Sequence, residues 1–225
     1  MQTEIIAHRG ASAYAPENTM HAFKKAQEMH ADGIETDVHL TKDNIPVLIH
    51  DERINRTSNS KGFIRDYTYE QLLQFDFGSW FSSSFEKTKI VTLNEFLHWI
   101  KQTSLQAQIE LKNNKIDYPE IESIVYKCIS KHSMEEQSTV SSFNFESIQR
   151  FQRITNTIEV AYLTSKMNRS TCHTIKEYPA NALHIKHTLL QRKLIRCSEQ
   201  KKIPLRVFTV NKISHMMRCY DLHVR

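Results

Sequence analysis

Two short apolar segments lead into histidines with charged neighbours. The first leads into His8-Arg9-Gly10, where a histidine can transfer a proton and an arginine can grip an anion through its planar guanidinium. The second leads into His50-Asp51. A lone histidine at a strand end is more often structural, so each position predicts chemistry only together with the residues around it.

Two carboxylates, Glu35 and Asp37, are separated by one residue in the segment 34–38. Alternate side chains of a strand share a face, so these two point together and their three neighbours face the other way. If that second face packs on helices, both carboxylates lie inside, where their repulsion requires a cation or a proton. All-oxygen ligands favour Mg²⁺, Ca²⁺ or Mn²⁺, and a salt-bridged pair of acids is the alternative.

Glu110 and Lys112 repeat this spacing at the end of another apolar segment. Glu110 is a candidate third metal ligand, and Lys112 is a candidate charge for binding phosphate. A plain Glu–Lys ion pair is the alternative for this segment. A hairpin that turns around residues 41–45 would place Glu35 and His50 roughly opposite each other, which would bring this histidine to the carboxylates.

These side chains need a scaffold that gathers strand ends. Strand-like segments alternate with amphipathic helical ones, which predicts parallel strands joined by helical crossovers. Seven such units fit an incomplete (β/α)₈ barrel, in which the C-terminal strand ends form the active site, better than an open sheet. The predicted strands are 4–7, 34–38, 108–111, 139–142, 159–163, 182–185 and 205–210, and the predicted helices are 19–29, 93–100, 121–129, 145–151, 189–199 and 213–222.

Residues 42–89 interrupt this alternation. A turn at 42–46 followed by the apolar run 47–49 predicts a β-hairpin, whereas 53–89 is irregular and rich in Ser, Phe and Tyr. A structureless loop of that length is uncommon in a compact domain. We interpret 53–89 as a small insertion over one end of the barrel, within a single domain that spans 1–225.

Composition limits the classes of function. The chain has 225 residues, 40% hydrophobic and 24% charged, as is typical of a globular protein, and its net charge is only +5. The sequence shows neither a basic stripe or nucleic-acid-binding module nor an apolar stretch long enough to span a membrane. Its four cysteines form no metal-binding pair and are interpreted as free thiols. With no recognisable signal peptide, these features predict a cytoplasmic protein and give no indication of its oligomeric state.

The motifs occur in the order and at the spacing of a known family, and the chain resembles the glycerophosphodiester phosphodiesterases over nearly its whole length. The matching motifs begin with His8-Arg9-Gly10, Pro16-Glu17-Asn18-Thr19, Glu35-Thr36-Asp37-Val38, Thr41-Lys42-Asp43 and Val47-Leu48-Ile49-His50-Asp51. They continue through Arg56-Thr57, Gly62, Thr92-Leu93, Ile109-Glu110-Leu111-Lys112, Ser142-Phe143 and Thr209-Val210-Asn211.

The resemblance implies a TIM barrel with a small insertion after the second strand. It also implies metal-dependent hydrolysis of a glycerophosphodiester to sn-glycerol 3-phosphate and an alcohol. In the family pattern His8 and His50 are the general acid/base pair, and Glu35, Asp37 and Glu110 bind a divalent metal ion, Mg²⁺ or Ca²⁺ or else Mn²⁺. The expected partner is a small-molecule substrate, with no nucleic acid and no stable membrane insertion.

The resemblance further implies that Arg9 and Lys112 bind the phosphate and that Phe208 lines the glycerol site. Phe208 stands where the family usually has tryptophan, and it keeps an apolar wall there. The sequence ends where the family continues into an eighth strand, so we expect that strand to be missing and the barrel to be open between strands seven and one. A C-terminally truncated, inactive barrel is therefore one alternative.

A second alternative is a lysophospholipase D-like enzyme that acts on lipids at a membrane surface. Such an enzyme would need an exposed apolar rim, and Trp80, Phe81 and Phe85 in the insertion are candidates for it. Packing of these three rings inside the insertion is the competing interpretation.

Overall fold

The fold is a parallel β-sheet whose strands are connected by helices. A computed structural model describes residues 3–166 and 180–224 of the chain. Its strands are β1 (Ile6–His8), β2 (Gly33–Leu40), β3 (Pro46–Leu48), β4 (Gln106–Leu111), β5 (Ser138–Ser142), β6 (Glu159–Thr164), β7 (Ala182–Lys186) and β8 (Leu205–Phe208). The parallel strands follow the order β1-β2-β4-β5-β6-β7-β8, and β3 pairs antiparallel with β2.

Helices lie between most of these strands along the chain. They are α1 (Met20–Glu28), α2 (Tyr69–Leu72), α3 (Leu93–Ile100), α4 (Ile121–Lys131), α5 (Phe145–Ile154), α6 (Arg192–Lys201) and α7 (Ile213–Asp221). The alternation confirms the predicted α/β fold of TIM-barrel type, with seven parallel strands in the described part of the chain. β1 and β8 form the two ends of that sheet, and Thr3 Oγ1 donates a hydrogen bond to Val224 O (2.8 Å), which links the segments beside them.

The main core lies between the sheet and the helices on its outer face. Ile34 and Val38 of β2 are fully buried there, in the same apolar cluster as Phe23 of α1. Thr19 caps α1 by accepting a hydrogen bond at the helix N-terminus. Because the apolar side chains of β2 face the helices, the carboxylates at alternate positions face the inside of the sheet, as the strand periodicity predicted.

Residues 53–89 contain α2 and three short 3₁₀ turns, at Ile54–Arg56, Ile64–Asp66 and Ser83–Phe85. They surround a separate apolar cluster that continues into the hairpin. Its buried members are Val47, Ile49, Ile54, Ile64, Leu72, Phe77 and Ile90. This second core explains why a segment with little regular periodicity still holds one defined arrangement.

Trp80, Phe81 and Phe85, the three candidates for an apolar rim, pack largely against one another. Phe81 makes edge contacts with both Trp80 and Phe85, with ring centroids 5.7 and 5.6 Å apart. The Trp80 ring nitrogen donates a hydrogen bond to Phe77 O (3.0 Å), although the residue remains 38% exposed. These contacts agree better with packing inside the insertion than with a continuous apolar rim.

Two sequence-based expectations need correction. The first strand is Ile6–His8 rather than 4–7, and the last ends at Phe208 rather than at residue 210.

The cysteines are not all free thiols, as the sequence had indicated. Cys197 forms a disulfide, whereas Cys128 and Cys219 are free thiols. Cys172 lies outside the described residues. The disulfide was missed because cysteine spacing along a chain carries no information about which side chains meet in space.

Among residues 3–166 and 180–224, no helix combines the length and the hydropathy that a bilayer crossing requires.

Candidate active site

The register of the strands brings the predicted acidic and basic residues to one place. β1 and β2 pair with His8 opposite Glu35, and β2 and β4 pair with Asp37 opposite Glu110. The four residues therefore meet near the C-terminal ends of three adjacent strands, which is where TIM barrels place their active sites. His8 Nε2 lies 3.9 Å from Glu35 Oε2.

The turn after β1 is built around Arg9 and Gly10, which both adopt positive φ, 61° and 78°. A Cβ atom at Gly10 would lie 2.7 Å from the backbone of Ala22, so glycine lets this turn pack directly on α1. The Arg9 backbone N–H donates to both the main-chain O (2.9 Å) and Oε2 (3.1 Å) of Glu35. The turn thus fixes one oxygen of Glu35 and directs the arginine towards the strand ends.

Glu35, Asp37 and Glu110 form what we call the carboxylate cluster. Each offers an oxygen, and these atoms lie within 4.8 Å of one another. Glu35 Oε1 and Asp37 Oδ1 are buried and have no hydrogen-bond partner in the part of the chain that the structure describes. Burial and the charges of Asp37 and Glu110 hold the pKa of Glu35 well above its usual range, and burial with the Asp37 charge raises the pKa of Glu110 to about 7. Hard oxygen donors with orphaned buried atoms fit a divalent cation such as Mg²⁺, Ca²⁺ or Mn²⁺.

Two cationic side chains border this cluster. Lys112 Nζ donates a hydrogen bond to Glu110 Oε1 (2.8 Å) and lies 3.5 Å from Asp37 Oδ1. Arg9 Nε lies 3.4 Å from Asp37 Oδ2. Burial alone would raise the pKa of Asp37, but the charges of Lys112 and Arg9 outweigh it and lower that pKa. The predicted ion pair between Glu110 and Lys112 is therefore present. Lys112 and Arg9 balance only part of the negative charge of the carboxylate cluster.

Asn18 orients Asp37, a role that the sequence did not assign. The Asn18 side-chain amide donates to Asp37 Oδ2 (2.9 Å), and Thr36 Oγ1 donates to Asn18 Oδ1 (2.7 Å). Both residues are buried, and Asn18 adopts a positive φ of 55°. The amide thereby holds Oδ2 of Asp37. Oδ1 lies 3.5 Å from Lys112 Nζ and has no hydrogen-bond partner among the described residues. The sequence pointed to Asn18 only through the motif Pro16-Glu17-Asn18-Thr19, which gave no indication that its side chain binds Asp37.

His50 follows the hairpin and lies beside the cluster. Ile49 N donates to Asp37 O (3.0 Å), which continues the pairing of β2 and β3 up to this residue. His50 Nδ1 lies 2.6 Å from Asp51 Oδ1. The hydrogen bond from Arg56 is the main factor that lowers the pKa of Asp51, in spite of burial, so this group is a carboxylate that accepts a hydrogen bond from the Nδ1–H group of His50. Nε2 of His50 is then the ring atom left for chemistry.

His39 holds the backbone of His50 in place. Its Nε2 lies 3.1 Å from His50 O, and its Nδ1 lies 2.8 Å from the hydroxyl of Tyr118. A carbonyl oxygen only accepts, so Nε2 carries the proton and Nδ1 accepts from the tyrosine. Burial lowers the pKa of His39 to about 4, which agrees with a neutral ring. Strand alternation put His39 on the same face as Asp37, but nothing in the sequence linked it to Tyr118.

Phe208, the predicted wall of the glycerol site, ends β8. Its ring packs edge-on against Phe143, with centroids 5.8 Å apart. Phe143 directly follows β5, so both rings lie at the C-terminal strand ends, as the charged residues do. The structure thus gathers the eight predicted site residues at one end of the sheet.

Comparison with known proteins points to one family. The profile of the glycerophosphoryl diester phosphodiesterase family matches residues 8–225. A glycerophosphodiester phosphodiesterase of Bacillus altitudinis is 39% identical over 228 residues, covering 99% of this chain and 92% of that protein. One from Caldanaerobacter subterraneus is 35% identical over 218 residues, covering 97% and 90%. The structure of an Oleispira antarctica phosphodiesterase in complex with the product sn-glycerol-3-phosphate matches with a TM-score of 0.86 and 25% identity, covering 98% of this chain and 90% of that chain.

Proposed function

The chain belongs to the glycerophosphoryl diester phosphodiesterase family, and from this premise we propose that it hydrolyses glycerophosphodiesters to sn-glycerol 3-phosphate and an alcohol. One observation carries the proposal to this chain. Three carboxylates with two orphaned buried oxygens stand next to His8 at the strand ends. Burying three carboxylates this close together is unfavourable unless the protein binds a cation there.

We propose that Glu35, Asp37 and Glu110 hold a divalent cation, Mg²⁺, Ca²⁺ or Mn²⁺. When bound, such a cation draws charge from a non-bridging phosphate oxygen and so eases attack at phosphorus. Arg9 and Lys112 are the residues proposed to bind the phosphate. Both already lie against Asp37, so a phosphate could recruit them without a large movement of either side chain.

His8 and His50 are the proposed acid/base pair. Burial, and next the charge of Arg9, lower the pKa of His8 to about 4, so its ring is neutral near pH 7 and suited to accept a proton. The hydrogen bond between His50 Nδ1 and Asp51 Oδ1 (2.6 Å) orients the His50 ring and leaves Nε2 as the atom that would hand a proton to the leaving group. We therefore assign His8 as the base that deprotonates the attacking hydroxyl and His50 as the acid that protonates the leaving alkoxide.

We also propose three broader features of the protein. The insertion at 53–89 belongs to the same domain as the barrel, because its apolar cluster includes Val47 and Ile49 of the hairpin. Phe208 supplies an apolar wall for the glycerol backbone. A cytoplasmic location stays a prediction, and the disulfide at Cys197 removes part of its basis.

The deciding experiment is release of sn-glycerol 3-phosphate from glycerophosphocholine by the purified chain. We expect turnover with Mg²⁺, Ca²⁺ or Mn²⁺, none with EDTA, and turnover reduced by about 10²- to 10⁴-fold for His50→Ala. Lysophosphatidylcholine, assayed in parallel, is expected to be turned over far more slowly; faster turnover of that lipid would favour the lysophospholipase D-like alternative. A folded chain that turns over neither compound with any of the three ions would contradict the proposed function.

A further inference from the structure

Arg56 joins two loops that carry proposed active-site residues. Its guanidinium donates two hydrogen bonds to Glu17, from Nη1 to Oε2 (2.9 Å) and from Nη2 to Oε1 (2.8 Å). It donates two more to Asp51, from Nε to Oδ2 (2.8 Å) and from Nη2 to Oδ1 (3.1 Å). Glu17 lies 39 residues away in the chain, after β1, whereas Arg56 ends the first 3₁₀ turn of the insertion.

Each of the two carboxylates also contacts a proposed active-site residue. Glu17 Oε1 accepts a hydrogen bond from Arg9 Nη1 (3.0 Å), and Asp51 Oδ1 lies 2.6 Å from His50 Nδ1. An unbroken series of charge-assisted hydrogen bonds therefore runs from Arg9 through Arg56 to His50. Its two ends are a phosphate-binding candidate and a proton-transfer candidate.

We infer that Arg56 is a positioning residue that sets His50 and Arg9 relative to each other through Asp51 and Glu17. The inference rests on the function proposed for those two residues. Only a planar fork can make two hydrogen bonds to each of two carboxylates at once, so lysine is a poor replacement. The side chain of Arg56 is 42% exposed, and ion pairs of such exposure contribute little to folding stability. Its four hydrogen bonds are therefore better explained by geometry at the site than by the stability of the fold.

The test is a double-mutant cycle in kcat and KM for glycerophosphocholine. Asp51→Asn should act mainly on kcat through His50, and Glu17→Gln mainly on KM through Arg9. Arg56→Met should change both, with a loss of about 10- to 100-fold in kcat/KM, which is the scale expected when supporting hydrogen bonds are removed. Arg56→Lys should recover only part of this loss. The matched control is Arg65→Met, an exposed arginine in the same insertion, which should remain within about twofold of wild type.

The signature that separates positioning from general stabilisation is non-additivity. If Arg56 acts through Asp51, the kcat of the double variant R56M/D51N is no lower than that of the less active single variant, and the Tm of R56M stays close to that of the wild type. Losses that simply multiply, or a fall in kcat that tracks a fall in Tm, would overturn the inference.

A second readout does not depend on turnover. Nitrogen-15 NMR of the His50 ring reports which nitrogen carries the proton, and we expect Nδ1–H in the wild type and a mixture of tautomers in R56M. An unchanged ring in R56M would also overturn the inference. Absence of turnover by the wild type would instead count against the proposed function, and the NMR result would still decide whether Arg56 positions His50.

Discussion

Buried acids occur at two places in the described part of the chain, the carboxylate cluster and Glu122, and the protein surrounds them in different ways. Glu122 on α4 is buried, and its Oε1 accepts hydrogen bonds from Asn113 Nδ2 (3.2 Å), Ser147 Oγ (2.5 Å) and Arg150 Nη2 (2.8 Å). Its negative charge is satisfied from within the chain. We call these four residues the Glu122 network.

The carboxylate cluster lacks comparable partners. Lys112 Nζ donates a hydrogen bond to Glu110, whereas Glu35 Oε1 and Asp37 Oδ1 have no hydrogen-bond partner among the described residues. A buried acid with several donors stabilises the loop that it joins, whereas buried acids that repel each other call for a ligand from outside. The difference supports the proposal that the carboxylate cluster binds a cation, and it predicts a structural role for the Glu122 network.

The largest expected effect is on the response to divalent cations. Removing them with EDTA should abolish turnover, and adding one at about 100 times its Kd should stabilise the wild type by about 2.7 kcal/mol, because only the folded state binds it. Glu35→Gln should weaken this stabilisation strongly, and Glu122→Leu should leave it intact. Thermal unfolding with and without Mg²⁺, Ca²⁺ or Mn²⁺ measures it. Equal responses from the two variants would remove the distinction between the two groups.

The next largest effect should follow from removing the imidazole of His50, the proposed general acid. His50→Ala is expected to reduce kcat by about 10²- to 10⁴-fold, which is the usual contribution of general acid–base catalysis. The cation-induced shift in Tm should remain, since His50 is not among the proposed ligands. His132→Ala is the control, because His132 lies on the outer layer, where its ring contacts Asn94 (3.1 Å). Near wild-type kcat in His50→Ala would show that the cluster works without this residue.

A smaller effect should follow from removing the centre of the Glu122 network. Glu122→Leu leaves the donors of Asn113, Ser147 and Arg150 without their acceptor, which should cost about 1–3 kcal/mol of stability. Urea unfolding measures the loss. Glu146→Leu is the matched control, since Glu146 is exposed in the first turn of α5 as Glu122 is buried in the first turn of α4. Glu146→Leu should change the free energy of unfolding by no more than about 0.5 kcal/mol. A Glu122 variant as stable as this control would show that the network contributes little.

The sequence predicted the carboxylate cluster well because strand periodicity is a property of the backbone. Glu35 and Asp37 had to share a face, and the apolar residues beside them decided which face was inside. The predicted register of the hairpin was correct to within one residue. Val38 pairs with Leu48, so continuation of the ladder would place Thr36, rather than Glu35, opposite His50. The turn therefore set the position of the histidine to within one residue.

The partners of these residues were not predictable in the same way. Glu17, Asn18, Asp51 and Arg56 belong to recognised motifs, but their hydrogen bonds join loops whose paths depend on tertiary packing. The Arg56–Glu17 pair spans 39 residues, and no periodicity relates its members. Glu122 was also missed, since on the sequence it is one more polar residue in an amphipathic helix. Side chains on strands could thus be placed from the sequence, and side chains that connect loops could not.

The smallest expected effect is a pH dependence that belongs to the cluster alone. The pKa of Glu110 in the folded, cation-free protein is raised from 4.5 to about 7, so this group favours folding when protonated. Its contribution is complete below pH 4.5 and is lost as the pH rises through about 7. Glu110→Gln cannot ionise, so the variant should gain stability relative to the wild type between these values and then keep a constant difference.

Measuring that difference in Tm with EDTA, from pH 4.5 to 8, cancels the titration of histidines that both proteins share. A difference that stays flat, or that shrinks as the pH rises, would mean that Glu110 is satisfied by Lys112 in the folded state, as Glu122 is by its own donors. A rising difference that disappears when a divalent cation is added would tie the repulsion to the binding site. The cluster would then be unfavourable in the cation-free protein because its acids are arranged to bind a cation.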